Sequence, residues 1–306
     1  MKRKLFFYGF TALLFFCAAA YGKEDRHETR RSFAVNPGAS ITLRNISGDI
    51  RISSWDRSEV EMVAVKTGDA DNFDRVVSII ARPSNLDIRT QYPDNISNVN
   101  LSVQYDLKVP RNVVLDNIET ISGNIEITGI DGEVTAKTVS GDVRVSRISR
   151  KISLNNVSGD IHVSDITGSS AINTVSGDIR INRVGSSVRA NSFSGDINIE
   201  SSAYEINLTA SVFSGSIRFN GRLNPDGLYK INSFSGDVTL NLPADSNFVI
   251  DATTSKGSIK SDFDIKGNRE TQKKGERLKG VVGSDGPPVI LSTSSGSIQI
   301  RKTAKQ

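Results

Sequence analysis

The 306-residue chain carries 38 Lys and Arg against 34 Asp and Glu, with 37% hydrophobic residues, two His and one Cys. Lys2, Arg3 and Lys4 supply most of the +4 excess, so residues 23–306 balance at 35 basic against 34 acidic, and with no basic stripe of interleaved aromatics nucleic acid is not an expected partner. The single Cys17 also lies near the N-terminus, leaving residues 23–306 without thiol chemistry, and His27 and His162 are too few for a His-based metal cluster or catalytic triad.

The first 22 residues read as a secretory signal peptide: Lys2-Arg3-Lys4, an apolar run from Leu5 to Ala20, and small residues Ala18, Ala19 and Ala20. The run is shorter than the roughly 20 residues of a spanning helix, and Phe16 stands before Cys17 where a lipoprotein signal places a small residue. Export follows, to the periplasm, the outer surface or the medium. Residues 23–32 are expected to form a short linker, and residues 33–306 a single β-repeat domain with irregular insertions at about 67–100 and 262–288.

Within 33–66, Ile41, Leu43 and Ile46 lead to Gly48, and Ile50, Ile52 and Trp55 follow it. Residues 67–100 break this pattern: Asp69, Asp71 and Asp74 precede Val76, Val77, Ile79 and Ile80, with Pro83 and Pro93 beyond. A hairpin and loop are expected there, with room for a short helix. Leu101, Val103, Tyr105, Leu107 and Val109 alternate as a strand that ends at Pro110.

Ser-Gly-Asp-Ile/Val, or a near copy, then recurs every 18 residues at Gly123, Gly141, Gly159, Gly177 and Gly195, and at wider spacing at Gly215, Gly236, Gly257 and Gly296, with Ser216, Ser258 and Ser297 in place of Asp. In the unit opened by Gly141 the apolar positions are Val143, Val145, Ile148, Ile152, Leu154 and Val157. Period-two pairs of β-branched residues between Ser, Gly and Asn read as short strands, two per unit. A unit this short cannot bury its own apolar face, so neighbours must stack. The expected fold is all-β: a β-solenoid, β-helix-like, of 18–21-residue repeats, with an antiparallel meander of nine-residue halves as the alternative. All six apolar positions are read as core. Phe193, Phe213 and Phe234, which replace Val139, Val157 and Val175 in later units, are read as an internal aromatic stack.

Glycine suits the turns because it accepts positive φ, and Asp142, Asp160, Asp178, Asp196 and Asp237 suit them as hydrogen-bond acceptors. Stacked acids could ligate calcium, but the Gly-Gly-x-Gly-x-Asp pattern of calcium β-rolls is absent, so turn capping is expected, with no metal or cofactor. Arg144, His162 and Arg180 form a second column, Arg147, Asp165 and Arg183 a third, and Asn155, Asn173, Asn191 and Asn232 an amide ladder. The acids repeat with the turns rather than breaking the period, which argues against an enzyme. The 262–288 insertion carries Lys266, Arg269, Lys273, Lys274, Arg277 and Lys279, a solvated loop and the candidate binding loop. Residues 296–301 are read as a terminal cap.

The segment from Ile41 to Ile52 followed by Trp55-Asp56, the strand from Val103 to Pro110, and the serial Ser-Gly-Asp units together resemble a bacterial family of exported β-strand-repeat proteins, DUF4097, over about residues 33–301. The resemblance implies a solenoid-like fold, an envelope or surface location and a proposed adhesive or scaffolding role. It offers no catalytic residues. The expected function is therefore a non-enzymatic, adhesin-like scaffold for an unidentified envelope or surface ligand, protein or glycan. The alternatives are a module that self-associates through its solenoid ends and a polysaccharide-active enzyme.

Overall fold

The computed structural model describes residues 25–68, 76–91, 101–201, 207–271 and 275–303. Among these residues the strands fall into two sheets, of 13 and 14 strands, and the chain alternates between them. Ile152–Ser158 lies in the second sheet, Ile161–Ile166 in the first, and Ser170–Ser176 returns beside Ile152–Ser158. Successive coils pair in parallel and in register, Val143 with Ile161 and Leu154 with Ile172. This is a two-sheet β-solenoid, and the parallel register of its central coils excludes the antiparallel meander.

The core is the single apolar layer between the two inner faces. Val143, Val145 and Ile148 from the first sheet and Ile152 and Leu154 from the second are at most 2% exposed. The sixth position corrects the sequence reading: Val157 is 47% exposed, like Val139 and Val175, and Phe193, Phe213 and Phe234 are 46–57% exposed. Parity explains the difference. Ile148 lies three residues after Val145, an odd step that should point it outward, but Arg147 takes a left-handed φ of 55° and turns the chain back. Asp165 and Arg183 do the same at φ 58° and 53°. In the second sheet no such residue intervenes, so Val157 faces outward and Asn156 inward. The core aromatics are instead Tyr105, Phe219, Tyr229, Phe248 and Phe263, and Phe219 meets Tyr229 edge-on at 5.7 Å.

At both ends the spatial order of the coils departs from chain order. Near the N-terminus, Ser40–Arg44 and Ile50–Trp55 are sandwiched between the later segments Asn85–Thr90 and Leu101–Pro110 on one side and Val114–Ser122 and Ile125–Ile130 on the other. Near the C-terminus, Pro288–Ser295 and Ile298–Thr303 slot between Tyr229–Ser235 with Val238–Pro243 and Phe248–Lys256 with Ile259–Ser261. The terminal unit is therefore not a cap: Ile298 is fully buried inside the stack.

Two segments differ from expectation, residues 23–32 and 262–288, while the hairpin expected within 67–100 is present. The stretch 23–32 reads as a linker because its apolar alternation is weak, yet Asp25–Ala34 is an edge strand, antiparallel to Glu59–Gly68 and held by backbone pairing. Within 67–100 the described part is a hairpin, Val77–Arg82 with Asn85–Thr90. Within 262–288 the expected loop is a second hairpin, Lys266–Thr271 with Glu276–Val282, which extends the second sheet antiparallel beyond Phe248–Lys256. The proposed signal peptide, Asp69, Asp71, Asp74, Pro93, Lys273 and Lys274 lie outside the described residues.

Candidate functional site

The Ser-Gly-Asp turns form a third ladder along one edge of the stack. At Gly177, φ is +138° and an added Cβ would sit 2.2 Å from the carbonyl oxygen of Gly159 in the neighbouring coil. Coil-on-coil approach thus demands glycine as much as φ does. The same stacked contact joins Gly123, Gly141, Gly159, Gly195, Gly215, Gly236, Gly257 and Gly296, while Gly48 packs on Val103. Each turn backbone pairs with the next coil: Gly159 donates its N–H to Ser176 O at 3.0 Å. The Asp N–H has no carbonyl to reach, and the carboxylate one coil back takes it. Asp160 donates to Asp142 Oδ1 at 3.0 Å, Asp178 to Asp160 at 2.9 Å, Asp196 to Asp178 at 2.9 Å, and Ser297 to Asp237 at 2.7 Å.

Sequence reasoning missed the residue that completes this turn. Facing inward just before the exposed apolar position are Thr120, Thr138, Asn156 and Ser233, and in the last coils, before Ser255 and Ser294, Thr254 and Thr293, all buried. Each donates to a glycine carbonyl, as Asn156 Nδ2 does to Gly141 at 3.0 Å and Gly159 at 2.8 Å. Thr174 and Ser192 hold the same place without this bond. The recurrence of a small polar residue two before Ser-Gly was the available signal.

On the outer face of the first sheet, Arg180 bridges Asp160 at 3.1 Å and Asp178 at 2.9 Å, and its Nη1 meets His162 Nε2 at 3.2 Å. The Asp178 N–H, and then Arg180, hold the Asp160 carboxyl below the usual carboxylate range. Burial, then Arg180 and Arg144, push the His162 imidazole down, so it is neutral at pH 7. Arg183 similarly clasps Asp165, at 2.5 and 2.7 Å. These residues neutralise one another along the column.

The outer face of the second sheet is different. Ile121, Val139, Val157, Val175, Phe193, Phe213 and Phe234 form an exposed apolar ladder, about 29 Å long at ~4.8 Å per rung. The three rings stack face to face, with centroids 4.8 and 4.7 Å apart and planes within 4°. Beside them runs the amide ladder: Asn173 donates to Asn155 and Asn191 to Asn173, both at 3.0 Å. Asn232 lies further along and accepts from Ser292 Oγ at 2.7 Å. Where the aromatic stack ends, Asn191, Ser211, Phe213, Asn232, Phe234 and Ser294 border an open recess of about 550 Å³, continued by Thr253, Ser255 and Ser292.

The basic candidates are spread over the C-terminal hairpin. Arg277 pairs with Asp251 at 2.9 Å, and Arg269 reaches Glu276 at 3.2 Å and the Ile259 carbonyl at 3.1 Å. Lys266 and Lys279 are exposed on different strands. Half of the described basic set is thus already engaged by acids.

No curated protein matches the chain. Solved structures similar to it include a proposed adhesin from Bacteroides fragilis at 12% identity, covering 90% of this chain and 97% of that one with a TM-score of 0.39. A proposed adhesin from Parabacteroides distasonis aligns at 14% identity over 90% and 97%, with a TM-score of 0.38. A proposed lipid-binding protein from the same species aligns at 12% identity over the same shares, with a TM-score of 0.33. The family model described as Toastrack DUF4097 matches residues 36–226 and 224–301, and the chain belongs to that DUF4097 family.

Proposed function

We propose that this chain is an exported, non-enzymatic binding scaffold, adhesin-like, that engages a cell-envelope or surface ligand through the outer face of its second sheet. The observation that carries the reading is the apolar ladder from Ile121 to Phe234, continuous over seven rungs yet about half exposed. Soluble surfaces rarely leave so long an apolar patch open without a partner. A rigid ladder also repeats one contact at fixed spacing, so weak contacts sum. The basic hairpin is the weaker candidate, because Arg269 and Arg277 are held by Glu276 and Asp251.

Support for a non-enzymatic role comes from the repeating acids: Asp142, Asp160 and Asp178 each accept the backbone N–H of the next coil on Oδ1 and an arginine on Oδ2. Charge guards two of the four sheet edges against strand addition, residues 26–34 at one end and Lys266–Thr271 at the other, whereas the edge strand Val77–Arg82 leaves Ile80 50% exposed. The test is co-sedimentation of residues 23–306 with isolated envelope fractions, beside a Val157→Asp/Val175→Asp double variant. The wild type should sediment and the variant stay in solution; equal sedimentation would move the site off the ladder.

A further inference from the structure

We infer that the recess beside Phe234 is a subsite for one hexopyranose ring of a neutral glycan. The inference rests on the outer face of the second sheet being the binding face, and adds the ligand class and the place.

The aromatic stack stops at Phe234 for a simple reason. The next rung, between the register pairs Ser233 with Thr293 and Ser235 with Ser295, carries Ser294, and the rung after it carries Ser255. At the other end, Phe193 abuts Val175, in the same column between the pairs Thr174 with Ser192 and Ser176 with Ser194. Phe234 therefore keeps one ring face uncovered, and it is 54% exposed. The space in front of that face is part of a shallow, open recess that also runs beside Phe213 and Asn191. A fourth flat ring at the strand spacing would continue the stack.

The lining selects the kind of ring. Among the described residues no charged side chain lines the recess; its polar groups are the hydroxyls of Ser211, Ser255, Ser292, Ser294 and Thr253 and the amides of Asn191 and Asn232. Ser292 occupies Asn232 Oδ1 as a donor, which leaves the Asn232 Nδ2 protons for a ligand acceptor. The described lining offers an anionic ligand no cation, and Arg277, across from Thr253, is held by Asp251. An alkyl chain would cover the ring but strand hydroxyls and amides without partners, at a cost in affinity. A pyranose satisfies both demands, since its axial C–H face packs on the aromatic face and its equatorial hydroxyls reach the Ser, Thr and Asn rim. Specificity for the epimer would lie in that rim.

The test is calorimetric titration of residues 23–306 with neutral oligosaccharides of glucose, galactose, mannose and N-acetylglucosamine, with polygalacturonate and hexanol as anionic and alkyl probes. At least one neutral series should bind. Phe234→Ala should weaken it by about ten-fold or more. Ser294→Phe should do the same by placing a fourth ring in the subsite, while keeping the wild-type melting temperature because the position faces outward. Arg218→Ala, on the opposite sheet, should leave affinity unchanged. The subsite is overturned if no neutral series binds, if Ser294→Phe binds as the wild type does, or if polygalacturonate or hexanol competes as well as the sugars. Envelope binding lost in Val157→Asp/Val175→Asp but kept in Ser294→Phe, without sugar binding, would remove the subsite and leave the ladder; envelope binding kept in the double variant would remove the ladder itself.

Discussion

At the scale of single residues, outcomes depend on which way a side chain points, and two aliphatic positions on opposite sheets make the contrast. Ile179 is fully buried, so Ile179→Asp places an unpaired carboxylate in the shared core and should lower stability by about 4 kcal/mol or more. Val157→Asp should stay within about 0.5 kcal/mol of wild type, because Val157 faces solvent. Urea denaturation of the two variants checks both. His162 gives a pH signature. Its folded pKa is depressed by burial and by the flanking arginines, so its contribution to stability is fully present above the ordinary value of about 6.5 and is lost as pH falls from there through the folded value. His162→Gln should flatten the fall in urea midpoint below pH 6.5; an unchanged slope would place the acid sensitivity elsewhere. The orientation of Val157 was not legible in the sequence, since valine suits either face of a strand and the left-handed turns at Arg147, Asp165 and Arg183 fall on residues whose types do not announce them.

At the scale of an element, the turn is the part of the molecule most fully written in the sequence. Ser, Gly and Asp recur because the N–H of each Asp needs the carboxylate one coil back and each glycine lies against the glycine carbonyl of its neighbour. Asp178→Ala should cost about 1 kcal/mol by orphaning the Asp196 N–H, and calcium should not restore it in a thermal melt; full rescue by calcium would make the column a metal site. The ends of the stack were less legible. Phe248–Ser261 and Pro288–Thr303 carry the same alternation of apolar residues, and either would pair with Tyr229–Pro243, so nothing in the pattern says which lies next to it. The Lys266–Val282 hairpin was hidden for another reason: its outer strand is exposed throughout and shows no apolar period.

At the scale of the whole molecule, the period is a quantity that can be edited. Removing residues 159–176 joins Ser158 to Gly177 and preserves every column, so the shortened protein should keep its far-ultraviolet circular dichroism and melt cooperatively. Removing residues 159–167 instead would send each later strand to the opposite sheet, and that protein should fail to fold; equal behaviour of the two deletions would contradict the two-sheet coil. The displaced order of the last coils has a mechanical consequence. An ordinary solenoid tugged at its terminus sheds its outermost coil by breaking ladder bonds one after another, like a zip. Here Ile298–Thr303 is flanked by parallel strands on both sides, so tension applied beyond Thr303 loads two ladders in shear at once before that strand can leave, and Pro288–Ser295 behind it is held by two more. The last described strand is thus clasped from both sides where a pull would reach it first.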